Sequence, residues 1–389
     1  MTKTTDAPAP IEPSSRVAGA PDHRGSWLPT GAMLAARFKD LRKRRGLMIA
    51  LVAVTVGIPT IYMAIRLLLH AVAPHTYGPA GGYNQYVGLV VGVLFVFGFI
   101  VAATLGATAG SADLTEGMFR HHVITGRSRV ALYLARIPAG LAIIVPLVAL
   151  GFSVVCVVCV FAAPTTIEYN GAHVPVGMSQ TQFENWAAGH AEEVVNNFPV
   201  DISSRDSVAN SPCLPGGGPR AGGGVLKQPA GSADTSCTPT QLQTLAVFVA
   251  NQDYSEYSRL FLYPSDSLMV KSGLWIELEA VVGFLIGLGL SSLLGQRTVG
   301  VILLIVLELV ITPIAARAKL PHLANLQRGV VGLATIHLEP GALPAPFGGG
   351  PTDRAVFLHE STTVAVSVIV AWVVVWSALG AWRMMTRDA

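Results

Sequence analysis

Charge is scarce in this 389-residue chain. Lys, Arg, Asp and Glu make up only 13% of it against 51% hydrophobic residues, which excludes an ordinary soluble domain and points to an integral membrane protein. No glycine is followed by lysine, so there is no Gly-Lys-Ser/Thr phosphate loop and ATP hydrolysis is not assigned to this chain. His359-Glu360 is followed by Ser-Thr-Thr, which removes the zinc-protease helix, and no Gly-x-Ser-x-Gly nucleophile elbow occurs. Nothing repeats at a fixed period. Cysteines number only four. Two of them, Cys156 and Cys159, share a helix face inside an apolar run with no histidine or carboxylate nearby, so they read as small buried hydrophobes rather than a metal or redox pair.

The apolar runs give six crossings. They cover about Leu47 to Leu69, Tyr86 to Thr108, Arg129 to Ala162, Leu274 to Leu294, Val299 to Ala316 and Thr362 to Trp382. Pro59 is expected to kink the first, Pro138 and Pro146 to bend the third, and Pro313 falls near the end of the fifth. Pairs of glycines four apart, Gly88 and Gly92, Gly106 and Gly110, and Gly283 and Gly287, offer faces for close helix approach. Arg136 is expected near the headgroups, with its side chain snorkelling.

The net charge is only +3, but its placement is informative. Arg37, Lys39, Arg42, Lys43, Arg44 and Arg45 crowd just ahead of the first crossing, where a positive-inside bias explains them better than nucleic-acid binding. Arginines at 120 to 129, Arg297, Arg383 and Arg387 fall on the same predicted side. The expected location is therefore the cell membrane, multi-pass, with both termini cytosolic. Residues 31 to 45 read as an interfacial helix with Met33, Leu34, Phe38 and Leu41 on one side and the basic groups on the other. Residues 1–30, rich in Pro, Ala, Thr and Ser, are expected to be a disordered cytosolic tail rather than a signal peptide.

The fold class expected is an all-α integral membrane protein with six transmembrane helices, a cytosolic coupling helix and a large extracytoplasmic insert between the third and fourth. Its divisions are 1–30, 31–162, 163–272, 273–316, 317–360 and 361–389. In the insert, Ser179 with Gln182 forms a capping box and Thr238-Pro239 starts a second helix. Cys213 and Cys237 both fall there, in a compartment that permits a disulfide, whose closure contributes about 3 kcal/mol. Residues 323 to 338, in the second outer segment, read as a re-entrant or surface helix.

A polar island, residues 110 to 129, separates the second and third crossings. Ser111 is the expected N-cap of a short helix with Asp113 and Glu116 in its first turn, followed by Arg120, Arg127 and Arg129, with an amphipathic strip of Leu114, Met118, Phe119, Val123 and Ile124. The succession Asp113, Gly117, Arg120, Val123-Ile124, Thr125-Gly126, Arg129 resembles the permease subunits of ABC-2 type transporters. Met118 stands where a Thr is usual, and Thr125-Gly126 replaces a Pro-containing turn. The resemblance covers roughly the first 150 residues, including the basic interfacial helix.

What it implies is an exporter subunit that lines the membrane pathway. The island would be a coupling helix receiving the stroke of a separate ABC ATPase, with Asp113, Glu116, Gly117, Arg120, Arg127 and Arg129 as its contact set. The implied partners are that ATPase, a second permease copy or sibling, and membrane lipid, with no nucleic acid. No cofactor is expected on this chain, ATP and Mg residing on the ATPase, and no catalytic or metal residues are assigned.

Glu308 is the sharpest single residue, because an ionisable group in mid-crossing is costly and usually faces a bundle interior. It is either a pathway residue or a neutral packing acid. A proton-coupled secondary transporter using Glu308 and a receptor with an extracytoplasmic domain are the alternatives to the exporter. Glu277 and Glu279 are expected on a solvated rim, which leaves Glu308 as the lone polar group at its depth.

Overall fold

The computed structural model describes residues 28–77, 79–115, 128–164, 166–169, 172–196, 238–260, 264–317, 324–340, 343 and 361–386. The chain begins with a 13-residue helix, α1 (Gly31–Lys43), whose N-terminus is capped by the Thr30 hydroxyl accepting from the Met33 amide at 3.4 Å. Met33 and Leu41 are buried and Leu34 and Phe38 half-buried, the apolar side expected from their spacing. Met33 packs on Ala131, Leu132 and Ala135 at the start of the third span.

Among the described residues six helices are long and apolar enough to cross a membrane: α2 (Arg45–Val72), α3 (Tyr83–Ala112), α4 (Arg129–Phe161), α8 (Asp266–Leu294), α9 (Arg297–Ala316) and α12 (Thr362–Thr386). Even the 20-residue α9 extends about 30 Å, a full hydrocarbon thickness. Helix α3 continues as far as Thr115. Its companion α8 starts eight residues before the expected Leu274, because Ser265 accepts from the Leu268 amide and caps it there.

Helices α3 and α8 form the buried centre of the bundle. Glycines let them meet backbone to backbone. A Cβ on Gly110 would stand 2.5 Å from the Leu288 carbonyl oxygen and one on Gly283 would stand 2.7 Å from that of Phe99, while Gly106 and Gly287 face Phe284 and Ala103 still more closely. The third pair behaves otherwise. Gly88 and Gly92 meet nothing within 4 Å, so that spacing carries no contact. Gly380 on α12 docks against Gly289 on α8 in the same manner.

Two prolines act through a local change of helical register rather than a simple kink. Pro59 follows a π-helical turn at Ala53–Gly57, and Pro313 follows another at Leu307–Ile311. A proline offers no N–H to the preceding turn, and a widened turn is one way to accommodate that loss. In α9 the Thr312 hydroxyl also donates to the Leu307 carbonyl at 3.0 Å. Pro146 lies inside α4, and Pro138 in its first turns.

Among the described residues between α4 and α8 lie a β-hairpin and three helices. Strands β1 (Thr166–Tyr169) and β2 (Ala172–Pro175) pair antiparallel, so the chain is not purely helical as expected. They are followed by α5 (Gln180–Gly189), α6 (Ala191–Asn196) and α7 (Pro239–Leu260). The Ser179/Gln182 capping box is present. Thr238 and Gln241 exchange the same pair of bonds at the start of α7, at 3.0 and 3.4 Å. Val174, Phe183, Ala187, Val194, Ala246, Val249 and Tyr257 make a hydrophobic core of their own. Phe183 stacks on Tyr257 at 4.3 Å, and the Tyr257 hydroxyl donates to the Pro175 carbonyl at 2.6 Å.

Residues 323 to 338 form two short helices, α10 (Ala324–Arg328) and α11 (Val331–His337). The second does not lie on the surface. Val331, Gly332, Ala334, Thr335 and Ile336 are buried, and α11 packs between α12 and the end of α9.

Candidate functional site

Two constellations stand out, one at the basic end of the central helix pair and one in mid-span. The first gathers the basic residues. Gly295, in the left-handed conformation at φ 71°, closes α8 and sends the chain straight into α9, so Arg297 lies at the same end as α1 and the island. There the Arg129 guanidinium donates to the Met385 carbonyl at 2.7 Å, tying the start of α4 to the end of α12. About two turns later Arg136 donates through Nη1 to the Gly110 carbonyl at 2.8 Å and approaches the Met384 sulfur at 3.4 Å. The Ser292 hydroxyl donates to the same Gly110 carbonyl at 3.2 Å. Arg136 is only 2% exposed, so it does not snorkel to the headgroups. It is held inside, because the carbonyl and thioether that accept its protons come from α3 and α12 rather than from solvent. Four spans, α3, α4, α8 and α12, are thus joined through one carbonyl and one guanidinium. Beside them Arg37, Asp40 and Leu41 of α1 line a small cleft with Ala109, Ala112 and Arg136.

The island itself divides at Thr115. Residues 110–115 continue α3 without a break, so Ser111 is not an N-cap; its hydroxyl donates back to the Ala107 carbonyl at 2.8 Å. Asp113 therefore belongs to the last turn of α3 and not to the first turn of a new helix. Glu116, Gly117, Arg120 and Arg127 lie outside the described residues, as do Cys213 and Cys237. Both Cys156 and Cys159 are free thiols, Cys159 fully buried.

The second constellation lies in mid-span and overturns the reading of Glu308 as a solitary group. Glu308 sits in the π turn of α9 and is fully buried. Glu279 on α8, expected on a solvated rim, is 1% exposed and feels the charge of Glu308 directly. Glu277 is not solvated either: it is half-buried and both its carboxyl oxygens are covered. No hydrogen bond within 3.5 Å reaches any of the four oxygens of Glu279 and Glu308 among the described residues, although the Thr335 side chain of α11 stands beside Glu279. Thr312 and Thr335 are themselves fully buried. Gly332 of α11 comes so near that a Cβ there would lie 2.5 Å from the Thr312 hydroxyl and 3.0 Å from Glu308 Oε2.

Helix α11 is held over this pair from two spans. The Trp275 indole of α8 donates to the Thr335 carbonyl at 2.8 Å, and the Trp372 indole of α12 donates to the Gly329 carbonyl at 2.8 Å. A sign of Glu279 was present in the chain. Glu279, Gly283 and Gly287 recur every four residues, so the carboxyl continues the stripe on which α8 meets α3, and a residue on that stripe faces inward.

Six spans of this length and apolarity put the chain in the class of multi-pass helical membrane proteins. No protein-family model, no curated protein and no solved structure matches it.

Proposed function

We propose that this chain is the membrane-spanning subunit of an ABC-2 type exporter, coupled to a separate ATPase through residues 113–129. The observation that carries the reading is the tie at the basic end. The segment after Thr115 leaves from α3 and returns at Arg129 on α4; α4 is hydrogen-bonded to the last turns of α12 through Arg129 and Arg136, and the Gly110 carbonyl of α3 accepts from both Arg136 of α4 and Ser292 of α8. A displacement of that segment therefore reaches four of the six spans. Nucleotide-driven closure of two ATPases would shift a two-state bundle in this way, changing the side to which its pathway opens. The excess of Arg and Lys at this end supports a cytosolic orientation for it.

The test is co-expression with a Walker-type ATPase encoded beside this chain, followed by purification through a tag on the permease. Wild type retains the ATPase. Arg120→Glu and Gly117→Trp reduce its recovery by about 10-fold or more, the loss expected when a charge-assisted contact worth about 1.5–3 kcal/mol becomes repulsive. Equal recovery and equal substrate-stimulated ATPase activity in both variants would overturn the assignment.

A further inference from the structure

Glu279 and Glu308 bring two acids together with the Thr335 hydroxyl beside Glu279, itself bonded to the Gly332 carbonyl at 3.0 Å. Each is at least 99% buried, and their four oxygens accept no hydrogen bond within 3.5 Å among the described residues. Leaving one ionised carboxylate in such a place costs several kcal/mol, and a second beside it adds repulsion that a low-dielectric interior does little to screen. At least one of the two charges must therefore be neutralised.

Among the described residues no cation acts on either carboxyl, Lys271 of α8 being exposed. Helix α3 carries no charged residue between Tyr83 and Ala112, and the charges of α9 and α12, Arg297 and Arg383, lie at the basic end. On α8, Glu277 points at Ala149 of α4. On α10 and α11, Arg328 reaches Asn325 at 3.4 Å and His337 is exposed; neither acts on Glu279 or Glu308. A metal ion fits poorly. No group of three ligating His, Cys, Asp or Glu side chains exists among the described residues, and Gly332 already closes to within about one Cβ of Glu308 and Thr312.

We propose that Glu279 and Glu308 form a proton-binding site in which one proton is held between the two carboxyls, and that this proton keeps α11 seated. Protonated, the pair presents a single charge that is spread over two groups, and Gly332 can rest against Glu308. Deprotonated, two like charges lie directly beneath α11. Water must then enter, and the way in is to lift α11 away from Trp275 and Thr312. The polar part of the latch is the two indole bonds to the Thr335 and Gly329 carbonyls and the Gln327 amide on the Ala315 carbonyl at 3.3 Å, and the apolar part is the buried Val331, Ala334 and Ile336. The inference stands apart from the exporter assignment, because the site requires no ATPase.

The test is infrared spectroscopy of the full chain in lipid nanodiscs across a pH titration, with hydrogen exchange measured on the same samples. At neutral pH the protonated-carboxyl C=O band amounts to one group per chain. It shifts on deuteration, disappears at alkaline pH, and is absent from the Glu279→Gln/Glu308→Gln double variant. Glu308→Gln alone displaces its titration by about one pH unit or more, since the remaining acid no longer faces a charge. Amide exchange over 331–337 rises in step with loss of the band. The titration and exchange of the wild type need no variant, so a misfolded mutant does not blunt the test. A wild-type spectrum identical to that of the double variant, or a band of two carboxyls insensitive to pH, overturns the shared proton; unchanged exchange over 331–337 through the titration overturns the latch.

Discussion

Of the three glycine pairs spaced for helix contact, two are used and one is not, which permits a sharp comparison by adding a single methyl group. At Gly110 the new Cβ would lie 2.5 Å from the Leu288 carbonyl oxygen, about 0.9 Å short of an ordinary 3.4 Å contact. Neither partner can turn aside, since both are helix backbone and the Gly110 carbonyl is already bonded to Arg136 and Ser292. The helices must separate. A gap of 0.5–1 Å forfeits roughly a quarter to a half of each dispersion contact along the seam, and overpacking of this kind typically costs about 1–3 kcal/mol. Gly110→Ala is expected inside that range, and Gly106→Ala and Gly287→Ala at its upper end because their neighbours are closer still. Gly88→Ala and Gly92→Ala meet open space and gain helix propensity of up to about 1 kcal/mol. Unfolding by titration with a denaturing detergent, followed by tryptophan fluorescence in matched micelles, measures all five. Equal loss of stability at Gly88 and Gly110 would refute the assignment of α3 and α8 as the close-packed pair.

Two further predictions concern the insert between α4 and α8. Burial, more than any neighbouring group, lifts the Tyr257 phenol above its ordinary 10.0, so the folded insert favours the neutral form. This contribution to stability is complete below pH 10 and is lost as pH rises through the folded value, and Tyr257→Phe should abolish that alkaline sensitivity while costing about 0.5–1.5 kcal/mol for the lost bond to Pro175. Circular dichroism melts at neutral and alkaline pH read both, and an unchanged alkaline loss in the variant would assign it elsewhere. Thiol counting on the denatured chain should give two groups without reductant, Cys156 and Cys159, and four with it; four in both cases would exclude a Cys213–Cys237 bridge.

Two helix ends were legible from a side chain that caps its own backbone: Ser179 with Gln182, and Thr238, act within three residues of themselves, and each bond is present. Thr30 and Ser265 cap in the same way, but neither stands out against the apolar pattern that places those helices. Ser111 shows the limit of that reasoning. A serine before acidic residues signals an N-cap only where the preceding chain is not already helical, and Ala107 and the apolar turns before it are. Glu277 and Glu279 were placed together because they are two residues apart near a span end. Two residues on a helix differ by about 200° in direction, so one faces α4 and the other faces the carboxyl on α9.

Composition and periodicity alone were enough to determine six membrane-length helices, a basic amphipathic helix ahead of them and a separate folded insert, because hydrophobic length, caps and charge asymmetry act over a few consecutive residues. Tertiary structure alone decided which glycine stripes meet, that Arg136 is bonded inside the bundle, and that Glu279 joins Glu308 beneath α11. Those outcomes depend on which faces of distant helices are turned toward each other, and the free energy that selects them arises from backbone approach and shared burial between residues far apart in the chain.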